Sequence, residues 1–65
     1  MIVANVSATV FVDGVEVGFT PGEFRVRAGL RTIRIESEGY KAITERVQVD
    51  AGNTVRKRYT LQPEG

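Results

Sequence analysis

Three arginines, Arg46, Arg56 and Arg58, are the residues whose type and spacing most readily suggest chemistry. On an extended strand alternate residues face the same side, so Arg56 and Arg58 share one face. Guanidinium groups on a flat face could bind the carboxylates or phosphates of an acidic polymer or a partner protein. The alternative is an ordinary solvated sheet face, whose countercharge comes from Glu36 or Glu38 of a neighbouring strand.

The other reactive side chains argue against an enzyme. The sequence has no histidine and no cysteine, which removes the commonest general base, the commonest metal ligand and any thiolate. Paired catalytic carboxylates must converge in one pocket, whereas the eight acidic residues are scattered along the chain. Asp13 with Glu16, and Asp50 with Asn53, supply too few oxygen ligands for calcium. We therefore predict no catalytic, metal-binding or cofactor-binding site.

Charge and length narrow the range of partners. Nine basic and eight acidic residues among 65 give a formal net charge of +1, which argues against a nucleic-acid partner. No run approaches the roughly 20 apolar residues of a membrane helix, so membrane insertion is not expected. Residues 1–12 lack a basic leader before a long apolar segment, so we predict no signal peptide in this chain. A chain of this length makes one domain, residues 1–65.

The alternation of apolar and polar residues predicts an all-β protein. Glycine, proline and aspartate interrupt the alternation at short intervals, as in small antiparallel strands joined by tight loops. We expect a small antiparallel β-sandwich of about six to seven strands, with a short first strand within residues 1–6. The other strands are predicted near residues 8–12, 15–17, 23–27, 30–36, 41–49 and 53–61.

Turn residues predict how these strands pair. Asp13-Gly14 suits a two-residue hairpin turn, in which both residues take a positive φ angle. A turn at Ala28-Gly29 would set Phe24 opposite Ile33, an apolar pair of the kind that stabilises neighbouring strands. These turns predict two successive antiparallel hairpins.

The last two predicted strands are joined by a three-residue loop that ends in Gly52. This register sets Glu45 opposite Lys57, so an acid within an apolar row becomes half of a cross-strand ion pair. It also sets Arg46 directly opposite Arg56, where like charges are unfavourable unless something screens or binds them. The arginine face is therefore tied to this predicted hairpin.

The predicted core consists of the apolar residues on the inward faces of the strands. Because alternate positions share a face, each strand contributes every second residue. The core is expected to hold Val10, Val12, Val17, Phe24, Val26, Ile33, Ile35, Tyr40, Ile43, Val47, Val49, Val55, Tyr59 and Leu61.

The order and spacing of these residues resemble a PEGA domain, over residues 8–61. The resemblance is carried by Ala8, Val10, Val12, Asp13, Gly14, Gly18, Thr20, Pro21, Gly29, Ile33, Ile35, Gly39, Tyr40, Val47, Val49, Gly52 and Leu61. One departure stands before the second strand. Where the family's namesake Pro-Glu-Gly-Ala would lie, this chain has Asn5-Val6-Ser7-Ala8, and only the alanine agrees.

The resemblance implies a small β-sandwich module of bacterial and archaeal cell-envelope and surface proteins, often present in tandem. The family has no common catalytic site to carry over. We therefore expect a non-catalytic structural or protein-interaction module, either a spacer or a binding domain. Its partners would be neighbouring domains or other envelope proteins, and its location the cell envelope or the extracellular space.

Two other interpretations remain open. The chain could be a self-assembling structural subunit, because the edge strands of an open sandwich can pair between copies. It could also be an excised or engineered domain without independent activity. Glycan binding is a weaker alternative, since it uses exposed aromatic side chains, and only Phe11, Phe19 and the tyrosines could serve.

Overall fold

The computed structural model describes residues 1–24, 26–50 and 56–64. Within these residues the chain forms six β-strands and no helix, which confirms the all-β prediction. The strands are β1 (Ile2–Ala4), β2 (Thr9–Val12), β3 (Val15–Phe19), β4 (Gly29–Glu36), β5 (Ile43–Val49) and β6 (Lys57–Tyr59). Four of them form an antiparallel sheet in the order β3-β2-β4-β5, while β1 and β6 form a separate parallel pair.

The β2–β3 hairpin turns at Asp13-Gly14, as predicted. Asp13 has a φ angle of 50° and Gly14 one of 83°. Positive values at both positions match the twist of the flanking strands, and Val12 lies opposite Val15 across the turn. Aspartate and glycine both tolerate this conformation, so the turn follows directly from the local sequence.

A β-bulge interrupts the same hairpin. Val10 pairs with Gly18 and Phe11 pairs with Glu16, so Val17 is the extra residue on β3. A bulged residue is left out of the regular alternation between the two faces. Val17 is consequently 41% exposed, and its predicted place in the core is wrong.

The central strand of the larger sheet is β4. Its inward residues Ile33 and Ile35 are fully buried, and they lie opposite Val12 and Val10 of β2. On its other side β4 pairs with β5, where Ile35 faces Ile43. Two apolar neighbours on β2 make it a better partner for β4 than a strand at residues 23–27 would be.

The prediction of a strand at residues 23–27 is accordingly wrong. Residues 23, 24, 26 and 27 lie outside any strand, and β4 is paired on both sides with other strands. Phe24 does not face Ile33. It packs against the core half-buried, and its ring lies over Gly18 of the edge strand. An alternating segment can therefore serve as a covering loop when the hydrogen-bonding positions beside it are already occupied.

The predicted hairpin of the last two strands is also wrong. The only ladder partner of β5 in the described part of the chain is β4, which places Thr32 opposite Arg46. β6 pairs instead with β1, in parallel, and Ala4 lies opposite Tyr59. Arg46 is thus not opposite Arg56. The predicted loop, together with Gly52 and Val55, lies outside the described residues.

The parallel pair is extended by a side chain. Asn5 Oδ1 accepts a hydrogen bond from the Leu61 backbone N–H at 2.8 Å, and Asn5 Nδ2 donates to the Leu61 carbonyl at 3.1 Å. The amide thus imitates one more step of the β1–β6 ladder. At the other edge of β1, Ile2 exchanges two backbone hydrogen bonds with Gly22. β1 is thereby held on both sides.

The core lies between the larger sheet and the β1–β6 pair. Its buried apolar residues are Ile2, Ala8, Val10, Ile33, Ile35, Val49, Tyr59 and Leu61. All but the first two of these were predicted. Six further predicted residues pack against this cluster while partly exposed, namely Val12, Phe24, Val26, Tyr40, Ile43 and Val47.

Candidate interaction surface

A basic groove of about 500 Å³ lies beside β6. It is lined by Met1, Val3, Glu23, Arg56, Lys57 and Arg58. Three bases and one acid therefore surround it. Arg56 and Arg58 are exposed, and neither forms an ion pair with another residue of the described ranges. Two unpaired guanidinium groups beside one groove can bind carboxylate or phosphate oxygens.

Arg46 does not belong to this groove. It projects from the exposed face of β5, where Thr32 of β4 is its register partner. The three arginines singled out in the sequence are therefore divided between two sheets, because β6 pairs with β1 rather than with β5. The structure brings Arg56 and Arg58 together and leaves Arg46 on a different surface.

Lys57, the third base of the groove, is engaged elsewhere. Its Nζ lies 2.9 Å from Glu45 Oε1 of β5. The sequence predicted this pair from a register that does not exist, but the two side chains still meet across the space between the sheets. The hydrogen bond from Lys57 lowers the pKa of the Glu45 carboxyl below its ordinary value. The Glu45 carboxyl is thus ionised at neutral pH and engages Lys57, whereas Arg56 and Arg58 have no ion-pair partner within the described ranges.

Tyr59 lies next to this ion pair in the core. Its hydroxyl oxygen is buried and makes no hydrogen bond of ordinary geometry within the described residues. The Glu45 carboxylate is close enough to act on it electrostatically, although without ordinary hydrogen-bond geometry. Burial, and secondarily the negative charge of Glu45, raises the pKa of the Tyr59 hydroxyl above its usual range. Tyr59 therefore serves as a neutral core residue.

A second groove, of about 810 Å³, is acidic. Its charged residues are Arg34, Glu36, Glu38 and Glu64, so its balance of charge is the reverse of that in the basic groove. Arg34 Nη2 forms an ion pair with Glu36 Oε1 at 2.9 Å. Glu38 and Glu64 have no ion-pair partner among the described residues. The exposed ring of Phe19 lies at the rim.

Thr20 supports the floor of the acidic groove. The residue is buried; its hydroxyl oxygen accepts a hydrogen bond from the Ala8 N–H at 3.0 Å, and its hydroxyl O–H donates to the Val6 carbonyl at 3.2 Å. The Thr20 backbone N–H also donates to the Ala8 carbonyl at 2.8 Å. These bonds fix the segment before β2 against the end of β3. Without them buried backbone groups would be left unpaired, which is costly.

At the far end of the larger sheet, Asp13 organises the hairpin turn. Its Oδ1 accepts the Thr32 N–H at 3.0 Å, and its Oδ2 pairs with Arg31 Nη1 at 3.2 Å. The hydrogen bond from the Thr32 backbone is the main cause of a lowered pKa of the Asp13 carboxyl. Arg31 also donates to the carbonyls of Arg27 and Ala28. This cluster has a structural partner for every charge.

No arrangement suited to holding a metal ion occurs among the acidic side chains of residues 1–24, 26–50 and 56–64. Over the same residues the structure contains no helix of the length and apolarity needed to span a bilayer.

The sequence did not predict two contacts that build these grooves. The basic groove depends on Met1 and Val3, which reach Arg58 only through the parallel pairing of β1 with β6. The acidic groove depends on Glu64, whose N–H donates to the Gly39 carbonyl at 2.9 Å. Nothing in the local sequence indicated either contact. For the basic groove, the short apolar run at Ile2-Val3 is a signal for a partner strand, but no comparable signal points to the contact between Glu64 and Gly39.

One of the comparisons with known proteins gave a match. The family model described as PEGA domain matches residues 4–65, nearly the whole chain. Neither a curated protein nor a solved structure proved similar enough to count as a match. The match includes the strands of both sheets from the end of β1 onward and the glycine turns that connect them. The chain is therefore a member of the PEGA domain family.

Proposed function

We propose that this domain is a non-catalytic structural module, a spacer within a larger protein of the cell envelope or cell surface. The observation that carries the proposal is the parallel pairing of the first and last strands, β1 and β6. Membership in the PEGA family supports the non-catalytic part of the proposal. The described residues between the two strands form the packed domain that would separate the neighbouring parts of the larger protein.

Parallel terminal strands determine where a continuing polypeptide would approach and leave. Met1 lies beside Lys57, whose N–H donates to the Met1 carbonyl at 3.0 Å. From there both strands run in the same direction, and the chain continues to Glu64 beside Gly39. The seven residue-to-residue steps from Lys57 to Glu64 span up to about 23 Å when extended. We call the end with Met1 and Lys57 the head end, and the end with Gly39 and Glu64 the tail end.

This arrangement suits a module that transmits tension. A pull on the two ends of the chain would act on β1 and β6 in opposite directions along their common axis. The ladder bonds between them, and the two Asn5–Leu61 hydrogen bonds, would then be loaded together rather than broken one after another. A spacer at a cell surface benefits from such resistance.

The spacer proposal can be tested with two-copy and three-copy tandem chains. We expect their maximum dimension in small-angle X-ray scattering to rise by a similar increment with each added copy, because the chain passes through each domain from head end to tail end. Compact particles whose length does not grow with copy number would contradict the proposal. Fractionation of cells that express the natural protein, with an antibody against this domain, tests the envelope location.

A self-assembling subunit is the second candidate, and β3 favours it. This strand is an edge of the larger sheet, and its residues Val15, Val17 and Phe19 are 64%, 41% and 64% exposed. An exposed apolar edge can pair with a second chain, although the bulge at Val17 opposes a flat contact. Light scattering over a wide concentration range tests this candidate, since a constant monomer would exclude assembly through β3.

A further inference from the structure

We propose that the basic groove binds the tail end of a second copy of this domain, so that copies dock head to tail. The proposal rests on the spacer function, because it supplies the contact between successive modules. It identifies the partner of Arg56 and Arg58 by charge. Their complement is the pair Glu38 and Glu64 on the acidic groove of the next copy.

Within the described residues, the basic groove has two cations without an ion-pair partner and the acidic groove has two such anions, while Glu23 is the one acid of the basic groove. In the basic groove Lys57 already binds Glu45, which leaves Arg56 and Arg58 without an ion-pair partner among the described residues. In the acidic groove Glu36 already binds Arg34, and neither Glu38 nor Glu64 has an ion-pair partner among the described residues. Docking would therefore bring two cations against two anions that all lack an ion-pair partner in the part of the chain that the structure describes.

The two grooves are also separate surfaces that share no lining residue. The basic groove contains Met1 and Lys57 at the head end, and the acidic groove contains Gly39 and Glu64 at the tail end. A contact between two different surfaces is heterologous, and it extends into a row of copies rather than closing into a dimer. Continuation of the chain from one tail end would place the next head end beside it.

Apolar surface accompanies the charges. Met1 at the basic groove is 47% exposed and Phe19 at the acidic groove is 64% exposed. Docking would remove both from water, which adds an attraction that salt does not screen. Exposed ion pairs each contribute little, so separate copies should associate only weakly. A short linker raises the effective concentration to the millimolar range and makes the same contact significant in a tandem chain.

The first experiment follows backbone amide shifts of the single chain by NMR as its concentration rises. At an ionic strength of about 0.01 M, where the Debye length is about 30 Å, we expect concentration-dependent shifts at Val3 and Arg58 and at Glu38 and Gly39. At about 1 M, where the Debye length is about 3 Å, these shifts should largely disappear. Shifts confined to Val15 and neighbouring β3 residues would overturn the proposal and indicate edge-strand pairing.

Charge reversal at each end provides the decisive control. The variant Arg56→Glu with Arg58→Glu, and the variant Glu38→Lys with Glu64→Lys, should each abolish association alone. Mixed in equal amounts they should restore it, because each reversed end then meets an end of opposite charge. The variant Arg46→Glu, which alters a charge on β5 outside both grooves, should associate like the unaltered chain.

Two results would overturn head-to-tail docking. One is a mixture that stays as monomeric as its components, and the other is a reversed variant that associates like the unaltered chain. These failures are distinct from failure of the spacer function. Tandem chains that lengthen with each copy while free copies show no contact would retain the spacer and reject the docking. The salt titration uses the unaltered chain, so it stands even where a variant folds poorly.

Discussion

Glu45 Oε1 on β5 and Lys57 Nζ on β6 are 2.9 Å apart, and this ion pair joins the two sheets. The two side chains are 39% and 34% exposed, so water screens their attraction. We expect a coupling energy of about 0.5 kcal/mol in a double-mutant cycle of Glu45→Gln and Lys57→Gln, measured by urea unfolding. A coupling indistinguishable from zero would show that this ion pair does not help to hold the two sheets together.

The same pair predicts part of the acid sensitivity. Its hydrogen bond to Lys57 keeps the pKa of Glu45 in the folded state below the ordinary 4.5. Its stabilisation is therefore present above pH 4.5 and is lost as pH falls through the lowered folded pKa. The difference in free energy of unfolding between the unaltered chain and Glu45→Gln should shrink as the pH is lowered from about 7 to about 3. A constant difference would contradict this assignment.

Thr20→Val tests the support of the acidic groove. Valine has a similar shape but lacks the hydroxyl that binds the Ala8 N–H and the Val6 carbonyl. We expect a loss of about 1–3 kcal/mol in the free energy of unfolding, because buried backbone groups lose their partner. Thr20→Ser keeps the hydroxyl and should cost clearly less. Equal losses for the two variants would assign the effect to packing rather than to hydrogen bonding.

Gly18→Ala tests the loop that covers the edge strand. An added Cβ would lie 2.6 Å from Phe24 Cε1, and the φ angle of +153° is one that side chains with a Cβ rarely adopt. Gly14→Ala is the matched control, since Gly14 also has a positive φ of +83° but open space around it. We expect about 1–2 kcal/mol of destabilisation at Gly14 and more at Gly18.

The clash at Gly18 can be separated from its backbone strain. In a Phe24→Leu background the ring that meets the new Cβ is gone, so Gly18→Ala should cost less there than in the unaltered chain. Urea unfolding of the four proteins gives this difference. Identical costs in both backgrounds would mean that Phe24 yields without strain.

Tyr59→Phe removes a buried hydroxyl that has no hydrogen-bond partner among the described residues. The variant should be as stable as the unaltered chain or more stable by up to about 1 kcal/mol. Because burial raises the pKa of Tyr59, the folded state keeps the proton that the unfolded chain loses near the ordinary value of 10.0. Stability should thus decline above pH 10 in the unaltered chain and less so in the variant. A marked loss in the variant at neutral pH would reveal a partner for the hydroxyl.

The grouping of the three arginines could be predicted only in part from the sequence. Alternation predicted that Arg56 and Arg58 share a face, but the presence of Arg46 beside them required a strand pairing that the fold does not use. The predicted contact between Glu45 and Lys57 is confirmed, although for a different structural reason. β5 and β6 do not pair, but the side chains of Glu45 and Lys57 still meet in the space between the two sheets.

Local chemistry by itself determined the all-β class, the Asp13-Gly14 turn, and the burial of residues such as Ile33 and Leu61. These features depend on turn conformations and on apolar periodicity, which neighbouring residues suffice to specify. Tertiary structure alone decided that β1 lies beside β6, because the backbone N–H and C=O groups at the edge of a strand are the same whichever strand pairs with them. Competition among all strands for buried apolar neighbours settles that choice, and with it the assembly of two oppositely charged grooves from residues far apart in the sequence.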